Sequence, residues 1–107
     1  MAYGVAKAAT DKLTADMSKE LQEHQVAVVS LYPGLVRTEK VVKSAAWLDL
    51  GNSESPRFIG RAVVALASDS RVMQRTGSVV VAAQLARDYG FDDIDGKTPG
   101  PLTLEDV

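Results

Sequence analysis

No cysteine occurs in the 107-residue sequence. That excludes a disulfide-stapled fold, thiolate-bound zinc and thiol catalysis. A single histidine, His24, is present. One is too few for a histidine cluster, so no metal site is expected. Charge of one sign is also lacking: 12 Lys and Arg stand against 14 Asp and Glu, for a formal net charge of -2. The mixture gives no electrostatic footprint for nucleic acid, and no such partner is expected. No apolar run approaches the length of a membrane span, and the first residues do not read as a secretory leader. The expectation is a chain with no membrane segment, with the cytoplasm as the default compartment. Internal repeats and low-complexity tracts are missing as well.

What is present reads as ordinary soluble protein, with 46% apolar and 24% charged residues. The length suits one modest domain, which buries roughly two-thirds of its unfolded surface. Ala6, Ala9, Leu13, Met17 and Leu21 fall at helical spacing, so residues 4–23 are predicted to form a helix with that stripe toward the core. Val26 to Tyr32 is short, β-branched and almost continuously apolar, the pattern of a strand buried on both faces, and Pro33-Gly34 ends it. Residues 35–54 are less regular. Val41 to Leu48 is read as a short helix and Gly51-Asn52-Ser53 as a break.

Ser55-Pro56 is an N-cap followed by proline at the first helical position. Ile59, Ala62, Val63, Leu66 and Ala67 then give a helix over 56–68, which Gly60 weakens by about 1 kcal/mol relative to alanine. Thr76-Gly77 marks a turn, Ser78 to Ala83 a second apolar strand, and Gln84 to Tyr89 a short helix stopped by Gly90. Residues 91–107 are expected to be an irregular tail. Arg37, Arg57 and Arg61 are read as surface or cap residues without a role. The class is α/β, in the order helix, strand, loop and helix, strand. Two apolar strands joined by a helix form a βαβ unit, but two strands are too few for a stable parallel sheet. The sheet needs more strands than these residues hold.

Within the first predicted helix, Tyr3 and Lys7 stand one turn apart on one face, beside the apolar stripe and turned toward the sheet. The lysine sits in the helix end where a cation is disfavoured. Spacing alone leaves two readings. One is a solvated lysine beside a half-buried tyrosine. The other is an acid–base pair: a free tyrosine titrates near 10, and a neighbouring ammonium and a helix N-terminus both favour the phenolate. A tyrosine so placed can give a proton to a forming alkoxide or take one from an alcohol.

The pair is followed by an apolar strand and then by Pro33-Gly34-Leu35-Val36-Arg37-Thr38. Tyr-x-x-x-Lys, strand and Pro-Gly-x-x-x-Thr in that order resemble the short-chain dehydrogenase/reductase family. The stretches Ala8 to Leu13 and Leu85 to Gly96 look especially like one member of it. The resemblance implies the C-terminal portion of a Rossmann-type doubly wound parallel sheet, with the first half of the fold absent. Residues 1–107 would be a fragment of a single NAD(P)-binding domain. It implies Tyr3 as acid–base catalyst and Lys7 as its activator and a ligand of the cofactor ribose. Pro33, Gly34 and the backbone of Val36 would line the nicotinamide. Thr38 would bond its carboxamide or a phosphate oxygen, or simply serve as a turn hydroxyl. Leu35 and Trp47 are the substrate-side candidates, with Trp47 equally readable as a core aromatic. The cofactor is NADP or NAD, with NADP favoured, and the substrate a small carbonyl or alcohol. Subunits in this family pair through the helix at 4–23, so a homo-oligomer is implied. The family's glycine-rich phosphate turn and catalytic serine are not among these residues. Two functional expectations follow: a piece of a reductase inactive by itself, or a non-catalytic chain that associates with a full-length subunit.

Overall fold

A computed structural model of the chain describes residues 2–34, 36–39 and 53–100. Among them the elements run α1 (Ala2–Leu21), β1 (Ser30–Tyr32), α2 (Pro56–Ser68), β2 (Val79–Val81) and α3 (Ala82–Tyr89), with short 3-10 turns at Gln22–His24 and Val72–Arg75. The class is α/β: β1 and β2 form a small parallel sheet, accompanied by three helices. This is consistent with part of a Rossmann-type arrangement. The predicted helix over Val41 to Leu48 and the end of the tail beyond Gly100 lie outside the described residues. The chain divides into two compact units, residues 1–32 with 68–80 and residues 33–67 with 81–107.

In the first unit, α1 turns an unexpected face inward. Thr14 and Ser18 are its buried residues. Leu13 is 58% exposed and Met17 37%, so the apolar stripe predicted to face the core faces outward. The reason is the closeness of the contact. Thr14 Oγ1 lies 3.0 Å from the Ser30 hydroxyl on β1, which donates to it. A Cβ added to Gly77 would stand 2.7 Å from Ser18 Oγ. Only short side chains fit an approach this tight, and Gly77 also holds a left-handed φ of 80°. Gly77→Ala is therefore expected to cost about 1–2 kcal/mol from its φ alone. Urea denaturation of the two proteins measures this, and an unchanged midpoint would contradict it.

The strand prediction needs shortening. Residues 26–29 are not part of the ladder, although Val28 is held at both its polar backbone atoms. Its N–H donates to Thr76 Oγ1 at 2.9 Å, and its carbonyl accepts the Gly77 N–H at 2.7 Å. Val26 is 44% exposed, so burial on both faces does not hold. Within this unit, α1 covers one face of β1: Ser30 is buried against it, and the Tyr32 hydroxyl, two residues on and thus on the same face, donates to the Asp11 carboxylate. That bond first, then burial and the same negative charge, hold the Tyr32 phenol above its ordinary value.

The second unit has the apolar core. Phe58, Ala62, Leu66, Ala82, Ala83, Leu85 and Ala86 are buried. The Phe58 and Phe91 rings are tilted at 56° with centroids 5.4 Å apart, within the range favoured for aromatic pairs. Helix α2 occupies the predicted span and is capped as predicted: the Phe58 N–H donates to Ser55 Oγ at 3.2 Å. Its inward face is shifted, with Val63 52% exposed and Phe58 buried in its place. Ala82 and Ala83, read as the end of a strand, are instead the first turn of α3. Small apolar residues suit either state, and two packed alanines let the helix begin early. Gly90 ends α3 with a φ of 77°, its N–H bonded to the Ala86 carbonyl at 2.8 Å.

Candidate active site

The row of α1 that buries Thr14 and Ser18 continues, at steps of three or four residues, through Asp11 to Lys7 and Tyr3. The two sequence-predicted residues therefore share the sheet-side face of the helix, as expected. Their exposure departs from expectation: Tyr3 is 76% exposed and Lys7 is exposed too. β1 has only three residues and accounts for the burial further along the row, at Thr14. Lys7 Nζ stands 5.3 Å from the centroid of the Tyr3 ring, over its face. The phenol and the ammonium are thus held as a pair by one helical turn and presented outward together.

Pro33, Gly34, Val36 and Thr38 belong to the second unit. Leu35 and Trp47 lie outside the described residues. What shapes this segment is a residue that the sequence reading left unmentioned. Glu54 is 1% exposed. Its Oε1 accepts the Gly34 N–H at 3.0 Å, its main-chain carbonyl accepts the Arg37 N–H at 2.7 Å, and it forms a parallel bridge with Val36. The Thr38 N–H then folds back onto the Val36 carbonyl at 2.8 Å.

Arg37 corrects a second reading. It is not a bare surface residue. Its guanidinium donates to the carbonyl and hydroxyl of Ser53 at 3.0 and 2.7 Å, and reaches Asp93 at 3.4 Å and Asp95 at 3.3 Å. Arg61, read in the same way, donates to the Asp92 carbonyl. Asp93 is 2% exposed and takes the Ser55 N–H at 2.7 Å, the Ile94 N–H at 2.7 Å and the Ser55 hydroxyl. Among the described residues, every buried side-chain polar atom of this cluster has a partner. No local pattern signals it: Arg37 and Asp93 are 56 positions apart, and only Ser55 announced itself, as a cap.

The two buried carboxyls are pushed in opposite directions. For Glu54, burial comes first and raises it; the Gly34 N–H works against that and the Asp93 charge adds to it. For Asp93, burial alone would also raise it. The hydroxyl and N–H of Ser55, the Ile94 N–H and the Arg37 charge outweigh that and hold it below its ordinary value. A raised carboxyl contributes stability below its unfolded value, near 4.3 for glutamate, and loses it as pH climbs through the folded value. Glu54→Gln keeps an acceptor for Gly34 and removes the charge. The substituted chain is expected to gain stability relative to the native one at neutral pH, with the difference closing in acid. Denaturation midpoints at stepped pH check this, and a constant difference would contradict it.

Comparison with known proteins follows the same lines. The family model described as short chain dehydrogenase matches residues 1–49, which hold Tyr3, Lys7 and the Pro33 to Thr38 segment. In this stretch the chain is similar to the short-chain dehydrogenase/reductase family, whose members are oxidoreductases that generally use NAD(P). It is similar to two proteins named dehydrogenase/reductase SDR family member 1. The Mus musculus protein is 44% identical over 108 aligned residues and the Homo sapiens protein 39%, each alignment covering 89% of this chain. The alignments cover 34% of either relative, so the chain spans about a third of the length of the curated relatives it matches. Among the described residues, no helix is long and apolar enough to cross a membrane.

Proposed function

We propose that this chain supplies the proton-transfer pair and part of the nicotinamide-contacting segment of an NAD(P)-dependent oxidoreductase acting on a small carbonyl or alcohol. The observation that carries the reading is the Tyr3–Lys7 pair, on one helix face and 5.3 Å apart, inside the stretch that matches the family. The donors present suit one end of the cofactor. An exposed phenol and ammonium match ribose hydroxyls and a substrate oxygen, and the Thr38 hydroxyl and the backbone of Val36 match an amide. The glycine-rich turn that cradles a pyrophosphate is not among these 107 residues. When bound, the nicotinamide supplies the hydride. Tyr3 holds the proton that moves to or from the substrate oxygen. Lys7 stabilises the phenolate and orients the ribose. Pro33, Gly34, Val36 and Thr38 receive the nicotinamide, and Leu35 and Trp47 are the candidates for contact with the substrate.

The test is oxidation of NADPH and NADH by a panel of small aldehydes and ketones, with the protein as expressed from its gene at full length. Carbonyl-dependent loss of the reduced cofactor supports the reading. No binding of either cofactor overturns it.

A second reading rests on a separate observation. Ala6, Ala9, Leu13 and Met17 form an exposed apolar face on α1. A chain with that face uncovered is suited to pair with a second subunit through α1, with or without turnover of its own. Light scattering measures it: a monomer at all concentrations would remove this reading.

A further inference from the structure

We propose that Glu54 is a positioning residue for cofactor binding, a clamp that fixes the backbone of Gly34, Val36 and Arg37 and so sets their segment in its receiving conformation. This rests on the reading of that segment as nicotinamide-contacting. One residue holds the segment at both ends, by its side chain at Gly34 and by its main chain at Arg37, with the bridge to Val36 between them. Three features make the clamp stiff. The Glu54 carboxyl is buried, so its acceptor oxygen has little water to compete for the Gly34 N–H. Both neighbours of Glu54 are anchored as well, Ser53 by the Arg37 guanidinium and Ser55 by Asp93. Finally, Ser55 caps α2, so the clamp is fixed to the start of a 13-residue helix rather than to a loose loop.

A buried carboxylate spent on a loop amide beside Pro33 is costly for a merely structural turn, where water or a backbone carbonyl would serve. It is understandable where the loop must be shaped before a ligand arrives, because a pre-set loop loses less freedom on binding. Glu54 does not touch the reacting atoms in this scheme. It acts through the backbone of Gly34 and Val36.

The experiment compares Glu54→Gln, which keeps a carbonyl acceptor, with Glu54→Ala, which has none, in the full-length protein. Circular dichroism verifies folding. Should Glu54→Ala fold poorly, Glu54→Met keeps the volume and still removes the acceptor. The first readout is hydrogen exchange of the Gly34 amide without cofactor. It is expected to quicken about tenfold or more in Glu54→Ala and to stay near native in Glu54→Gln. The second is the Kd for NADPH, expected to weaken by about tenfold in Glu54→Ala, with Glu54→Gln within about threefold of native and KM for the carbonyl little changed. Unaltered Gly34 exchange in Glu54→Ala overturns the clamp. Faster exchange with unchanged NADPH affinity overturns its role in cofactor binding. Absence of NADPH and NADH binding in the native protein is a different result, and it is the functional reading that then fails.

Discussion

Tyr3→Phe is expected to lower turnover by about 10²- to 10⁴-fold, the usual contribution of a positioned acid–base group. The substitution takes away one hydroxyl and little else. The ring stays, so the contact with Lys7 Nζ, 5.3 Å from its centroid, is kept. Tyr3 is 76% exposed, so the fold loses no packing that could account for a slower enzyme. KM for the carbonyl should move less than kcat, because the lost interaction belongs to the proton in flight. Lys7→Met is the companion. On the proposed reading it removes the cation beside the Tyr3 hydroxyl and the donor for the ribose, so it should lower kcat and weaken cofactor binding together. Steady-state kinetics of the full-length protein decide it, and a Tyr3→Phe protein with undiminished kcat would end the assignment of Tyr3.

Asp93→Ala is expected to be strongly destabilising, at about 3 kcal/mol or more. Asp93 is 2% exposed and accepts from Ser55 twice and from Ile94 once, while neutralising Arg37. Alanine leaves the buried N–H and hydroxyl of Ser55 without their acceptor, releases the Ile94 N–H and slackens the cap of α2. Asp95 remains to hold Arg37, at 3.3 Å, so the loss falls on the Ser55 side of the cluster. The pH dependence has a definite sign. Asp93 is held below its ordinary value, so its contribution is present above the unfolded value near 3.9 and disappears as pH falls through the folded one. Glu54 opposes this, gaining as pH falls. The native chain should therefore lose stability in acid more steeply than Asp93→Ala does. Chemical denaturation of both proteins over an acid series measures the gap, and parallel curves would contradict the account.

The parts of the fold that were legible in the sequence are those fixed by local chemistry. Ser55-Pro56 and the spacing after it gave the limits of α2, because a cap and a φ-locked residue act within one turn. Gly90 gave the end of α3 for the same reason. Where the outcome depended on what lies opposite, the sequence misled. The stripe on α1 was assigned to the core on hydrophobicity alone, yet the buried face carries Thr14 and Ser18, selected by the close approach of Gly77 and Ser30. Val26 to Val29 read as strand on propensity, but a ladder needs a partner as well, and β2 is three residues long. The site divides similarly. The Tyr3–Lys7 pair is a one-turn relation, so spacing placed both residues on a common face. Glu54, Arg37 and Asp93 come together across long separations in the chain, and no spacing rule announces a clamp of that kind.

The hydroxyl contact between Thr14 and Ser30 has a mechanical consequence. A helix resting on apolar side chains is held by an attraction that has no direction and does not by itself resist a roll about the helix axis. A pair of hydroxyls 3.0 Å apart tolerates no such roll, because a hydrogen bond weakens steeply with misalignment. The contact therefore works as an index mark that sets the azimuth of α1. Since Tyr3 and Lys7 ride on the same helical row, their compass bearing is set by a peg two to three turns away. An interface short of apolar surface is in this way well suited to aiming a phenol.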